Sequence, residues 1–457
     1  MPRRSHSTLP CRPGSPPAGG LGRRPTSKAD HLSAVLATRW RTREPPAAAP
    51  ILAIVTPATS PGQQLAYWRR LPRGDVLFAL GVLVAYVVAT MLAIEWRGFF
   101  PDRMMMVAER ALSGHLDSNA LKGTIDTVEI AGRYYIALGP LQLLAYIPFA
   151  AVPDLQLVGG YLTGLLFGIP AAWLALPLAR AYGARGAAVY WIAAFAAFGS
   201  LLFWASVFGN VYNLAHAESF LALTLFLIEW AGKRRPMPLG ACLGVSFLAR
   251  PTTILAAIPF GLYLVWTRRS DLRAAARSAA AFGLPIAGAV ALYGWFNWLR
   301  FGSPLETGYA ISVLPQSLQD RRAQGLFSIV HIPENIRLAL LALPDRISQP
   351  PFFSASPDGM SMALVSPALI TSLWAGFRDR AARLLWIATA LVAVPVFLYY
   401  GGGFVQYGFR YSLDFTPFLV ALMAVGSQRW IGWPERLLVL VSVASVIAGI
   451  CWYGGVS

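Results

Sequence analysis

The chain has 457 residues, 56% hydrophobic and 13% charged, about half the charged share of an ordinary soluble domain. A water-soluble globular protein is excluded. Lys and Arg outnumber Asp and Glu by 38 to 21, a net charge of +17, and the three cysteines, Cys11, Cys242 and Cys451, lie far apart. Neither a disulfide framework nor a thiolate metal site is indicated.

Residues 1–74 hold twelve Lys or Arg against Asp30 and Glu44, and twelve of the 34 prolines. A segment so basic and so poor in buried-type residues reads as a disordered cytoplasmic tail. It is too long and too proline-rich to be the charged head of a cleavable signal peptide, so an uncleaved first helix is expected after it. The Arg clusters fit a solvated, membrane-proximal segment better than a nucleic-acid-binding arm, and no nucleic-acid partner is expected.

Residues 75–457 read as one polytopic, all-α transmembrane domain. Successive apolar runs predict about eleven spans, near 76–94, 157–179, 186–208, 214–232, 237–250, 252–267, 277–298, 360–377, 382–400, 411–428 and 436–454. The run 138–153 is shorter and contains Pro140 and Pro148. If it crossed, the basic connections Arg180 to Arg185, Lys233 to Arg235, Arg268 to Arg277, Arg378 to Arg383 and Arg429 to Arg436 would split between the two sides, against the positive-inside rule. Kept as a juxtamembrane helix in the first outer loop, it leaves all five in the cytoplasm. The expected topology in a plasma (inner) membrane has the N-terminus inside and the C-terminus outside.

The long connections 95–156 and 299–359 then face outward, with short outer turns at 209–213, 250–251 and 401–410. Fourteen of the 21 acidic residues lie on or near this side. Helix centres are expected to be free of charge, since a charge there costs roughly 2.5–3.5 kcal/mol on insertion scales. That argues against an ion-coupled transporter, as does the lack of a duplicated half.

Five phrases follow in order: an early Asp after the first helix, GRYYIALGPLQLLAYIPF at 132–149, LARPTTILAAIPF at 248–260, WFNWLRFGSPLETGY at 295–309 and VQYGFRYSLDFTPFL at 405–419. Together, over about 76–430, they resemble membrane glycosyltransferases of the GT-C superfamily, of the family 39 mannosyltransferase and aminoarabinose transferase type. The resemblance implies an inverting enzyme that takes one sugar from a polyprenyl-phosphate donor to a lipid, glycan or protein acceptor at the outer face. Membrane lipids are its other partners. The rivals are a transporter or flippase of lipid-linked sugars, and another lipid-carrier-dependent transferase or polymerase.

On that resemblance Asp102, just before the stretch RMMMVAERALSG, takes the place of the general base, although Arg103 follows where an Asp-Glu pair is commoner. An Asp at this position is also a natural N-cap. Asp126 is the second candidate for the base. Arg250, Arg410 and Arg300 are the candidate cations for the donor phosphate, which a guanidinium fork suits. Against this stand a snorkelling role for Arg250, an ion pair of Arg410 with Asp414 one turn later, and an interfacial anchor for Arg300. His216, Glu306, Tyr134 and Tyr309 are candidate sugar or acceptor contacts. No cofactor is required by the sequence, and a divalent metal is left open: His115 is the one other outer His near a candidate acid, but members of the family that the chain resembles differ in metal dependence.

Overall fold

In a computed structural model, the described residues are 72–455 apart from 100, 101, 350, 351 and 431. The expected basic tail lies outside them except for its last three residues. The chain is an all-α, multi-pass integral membrane protein. Among the described residues six helices are long and apolar enough to cross a membrane: α1 (Arg73–Arg97), α4 (Gly159–Ala181), α6 (Val211–Ala231), α9 (Leu272–Phe301), α10 (Arg380–Leu398) and α12 (Trp433–Gly455). A further pair, α5 (Ala187–Gly199 and Leu201–Val207), is bent by 44°. Between these lie the shorter α2 (Arg103–Ala111), α3 (Pro140–Ala150), α7 (Pro236–Ala249), α8 (Pro251–Trp266) and α11 (Thr416–Gly426).

The differences from eleven even spans have local causes. Ser200 interrupts α5: its hydroxyl donates to the Ala196 carbonyl and accepts from the Leu202 N–H, so one side chain closes one half and caps the other. Pro251, which has no N–H to donate, separates α7 from α8. The expected span 360–377 is a short helix, Met362–Val365, followed by a 3₁₀ segment, Pro367–Ala375, and the span 411–428 begins as a 3₁₀ turn, Arg410–Asp414. Each restart carries a proline in its first turn, Pro367 and Pro417.

Burial distinguishes the helices that face lipid from the one that organises the bundle. Only 22% of the apolar window of α1 is buried, along a stripe of Val82, Tyr86, Thr90 and Ala93, whereas 78% of the α6 window is buried. Helix α4 reaches α5 through Gly160, Gly164 and Gly168, where a Cβ would collide with Gly209, with the Ser206 carbonyl and with the Ser206 hydroxyl. In lipid, such small-residue stripes let backbones approach and pack. One helix breaks the expected pattern. Glu218 lies inside α6, 1% exposed, with Gln142 Nε2 donating to its Oε2 at 2.5 Å. A carboxyl group therefore lies about two turns inside the start of α6.

At one end of the bundle the connections are short and basic. Arg180 makes a bidentate pair with Asp75 at 2.6 Å, to which Tyr190 adds a hydrogen bond, and Arg235 pairs with Glu229. The first long connection carries an antiparallel hairpin, β1 (Thr127–Ile130) and β2 (Arg133–Ile136). Its two-residue turn, Ala131–Gly132, has positive φ at both positions, as a type I′ turn requires.

Candidate active site

The two long connections and the three short turns that the charge pattern assigns to one side do meet at one end of the bundle. They enclose a cavity of about 660 Å³. Arg97 ends α1, Asp102, Arg103 and Asp126 come from the first connection, Tyr212 and His216 from the start of α6, Arg250 from the α7–α8 break and Thr252 from the first turn of α8. Thr307 and Tyr309 come from the second long connection, and Tyr399, Arg410 and Tyr411 from the segment after α10. Four guanidinium groups and two carboxylates line the wall, so the cavity favours an anionic ligand.

The two aspartates have different surroundings. Asp102 is 7% exposed and spans two helix starts: its Oδ1 accepts from the Met104 N–H at 2.9 Å and its Oδ2 from the Val211 N–H at 3.1 Å. It caps α2 and ties α6 to it. Asp126 is half-buried and has φ +61°, a left-handed conformation that Asp adopts more readily than most residues. Its backbone is fixed on both sides, donating to the Val313 carbonyl at 2.7 Å and accepting from the Ala137 N–H at 3.1 Å. The carboxylate faces the Tyr212 hydroxyl and the Arg103 guanidinium. Burial raises both carboxyls above the usual range. For Asp102 the two backbone N–H groups oppose the rise, and for Asp126 Tyr212, Arg103 and Arg410 do so.

The arginines are held by rings. Arg250 lies 5.2 Å from the Tyr411 centroid, Arg410 lies 5.5 Å from the same ring and 5.9 Å from Tyr212, and Arg103 lies 6.0 Å from Tyr212. Arg410 makes no ion pair among the described residues, and its buried Nε has no hydrogen-bond partner. The Arg410–Asp414 pair that stood as the alternative is not formed. Asp414 instead binds Arg250 and His216, at 2.9 Å to each, which leaves Arg410 for the cavity.

The other expected residues divide. His216 and Tyr309 are on the wall. Arg300 is not: it is 4% exposed, and its Nη1 donates to the Ile136 and Leu138 carbonyls at 2.6 and 2.9 Å while Phe296 and Phe301 flank it. It fastens the end of the β hairpin to α9. Glu306 accepts the Gly308 N–H at 2.7 Å, where Gly308 has φ +84°, and so shapes a turn beside the cavity. Tyr134 stays on the hairpin, with Lys122 Nζ 5.9 Å from its ring. Among the described residues no three His, Cys, Asp or Glu side chains group to hold a metal ion.

Sequence reasoning missed Arg97, Arg103, Tyr212, Tyr399 and Tyr411. Arg103 stood out only as a departure from the family pattern, and Tyr212 as part of a polar turn. Both are within one residue of a helix start at the cavity end of the bundle, which is the signal that could have found them.

Among solved structures, the chain is similar to ArnT from Cupriavidus metallidurans. The apo crystal structure aligns at TM-score 0.48 and 15% identity over 79% of this chain, and the one bound to undecaprenyl phosphate at 0.46 and 15% over 78%. The chain spans 62% of the length of that protein. No protein-family model matches the sequence. No curated protein matches it.

Proposed function

We propose that the protein is a membrane glycosyltransferase of the GT-C type, moving one sugar from a polyprenyl-phosphate donor to an acceptor hydroxyl at the outer face of the membrane. The observation that carries this reading is the cavity itself. Arginines with an open edge, a carboxylate that accepts no backbone N–H and a wall of tyrosines meet where the five outward connections converge. The order of the sequence phrases supports the same reading.

In the reaction the acceptor oxygen bonds to the anomeric carbon from the side opposite the phosphate, and the bond from that carbon to the phosphate oxygen breaks. The hydroxyl proton passes to a carboxylate, and the electron pair leaves with polyprenyl phosphate, which gains one negative charge. Asp126 is the base in this scheme, because neither of its oxygens is occupied by a backbone N–H, whereas each Asp102 oxygen accepts one. Asp102 is then a positioning residue that sets α2 against α6. Arg410 and Arg250 stabilise the charge that develops on the departing phosphate. Tyr309, Tyr399 and Tyr411 offer flat faces for sugar stacking.

The test is transfer of label from radiolabelled polyprenyl-phosphate sugars by the reconstituted protein, with release of polyprenyl phosphate. Movement of the intact lipid-linked sugar between leaflets without that release would refute the proposal.

A further inference from the structure

One polar cluster lies behind the cavity wall. Asp414 ends the 3₁₀ turn Arg410–Asp414 and is wholly buried, yet four donors reach its carboxylate. Arg250 Nε and Nη2 contribute contacts of 3.1 and 2.9 Å, His216 Nδ1 one of 2.9 Å, and Thr252 Oγ1 one of 3.1 Å. The donors come from α6 and from the α7–α8 break, so the carboxylate ties three separate segments together. Tyr411, three residues before Asp414, stacks under Arg250 and meets the His216 ring edge at 5.6 Å. Arg250 lines the cavity, and its Nη1 makes no hydrogen bond among the described residues.

A guanidinium that is free at every nitrogen must give up side-chain freedom to meet a phosphate, whereas one clamped along an edge has already done so. We propose that Asp414, oriented by His216 and Thr252, is the positioning residue for Arg250, fixing the fork so that its remaining edge meets the phosphate of the lipid donor. The inference rests on the reading of the cavity as a lipid-phosphate site. It explains why a carboxylate sits behind a wall that binds an anion. Being buried and neutralised on the far side, it orients the arginine while Arg410, Arg103 and Arg97 keep the cavity cationic.

The test compares binding of undecaprenyl phosphate and of undecaprenol, which lacks the phosphate, to the full chain in nanodiscs. Wild type is expected to prefer the phosphate, and Asp414→Asn to lose about tenfold of that preference, the worth of roughly one charge-assisted hydrogen bond, with undecaprenol binding unchanged. Thr252→Val removes one donor and keeps the buried charge paired, so it serves if Asp414→Asn does not fold; a loss of about two- to threefold is expected, because Thr252 acts on Arg250 only through the carboxylate and the nitrogen donors remain. An unchanged preference in a folded variant, or equal weakening of both lipids, overturns the positioning role and leaves the site reading intact. A wild type without preference for the phosphate overturns both.

Discussion

The assignment of Asp126 over Asp102 makes a prediction in which stability and activity separate. Asp102→Asn keeps an amide oxygen for one of the two backbone N–H groups now bound, at Met104 or Val211, and turns an NH₂ toward the other. Asn is as good an N-cap as Asp, so the α2 cap survives, and the cost falls on the orphaned donor, about 1–3 kcal/mol for a buried group left unpaired. Asp126→Asn orphans no backbone donor, and Asn tolerates the left-handed φ of +61°, so it should destabilise the protein less than Asp102→Asn does. Its transfer rate should fall about 10²–10⁴-fold, the usual worth of a positioned base. The assay pairs thermal unfolding of detergent-purified protein with single-turnover transfer from a labelled polyprenyl-phosphate sugar. A stable Asp102→Asn protein that has lost transfer, beside an active Asp126→Asn protein, would refute the reasoning and return the base to Asp102.

Arg410→Gln breaks no ion pair, so it should leave thermal stability nearly unchanged while raising the donor KM by about tenfold, as loss of one charge-assisted contact does; a fall in stability with an unchanged KM would place Arg410 in the scaffold. Arg300→Met should do the reverse, lowering stability by about 2–4 kcal/mol through three buried carbonyl and amide acceptors that lose their donor, with the donor KM held. The pH profile should carry an acid limb from Asp126. Burial raises its carboxyl above the ordinary range, so the unprotonated base is lost as pH falls through a value higher than that of a free aspartate. Arg103 holds that value down, so Arg103→Gln should move the limb to higher pH, and an unmoved limb would assign it to another group.

Much of the site was legible because charge sidedness groups the connections without any knowledge of packing. Putting the five basic connections on one side forced 95–156, 209–213, 250–251, 299–359 and 401–410 onto the other, and those segments supply the cavity wall. What stayed hidden is whatever depends on the partner chosen across the bundle. Asp414 and Arg410 are one helical turn apart, which favours a local pair, but the 3₁₀ geometry of Arg410–Asp414 turns Asp414 inward to Arg250, 164 positions away in sequence. Arg300 has the sequence look of an interfacial anchor, yet the hairpin after Asp126 ends in carbonyls that need donors, and Arg300 meets them. The span count was hard for the same reason. Hydropathy reports how apolar a run is, while Ser200, Pro251, Pro367 and Pro417 decide whether it is one straight helix.

The distribution of apolar and polar packing bears on the rival reading as a carrier. A transporter of lipid-linked sugars needs a path that opens to each side in turn. Here the cavity belongs to one end, and the half of the bundle toward the basic connections is filled by large side chains, with Phe260 in edge contact with Phe226 and Trp230 and stacked on Phe418. The same cluster includes Leu239, Leu243, Leu385 and Leu422. Opening a route through it would mean separating a close-packed apolar core, whereas a transferase needs only the end where its donor phosphate and acceptor meet. Glu218, the carboxyl group inside α6, does not supply a path either: it is bonded to Gln142, which lies on the cavity wall, so the polar connection it makes runs back to the same end.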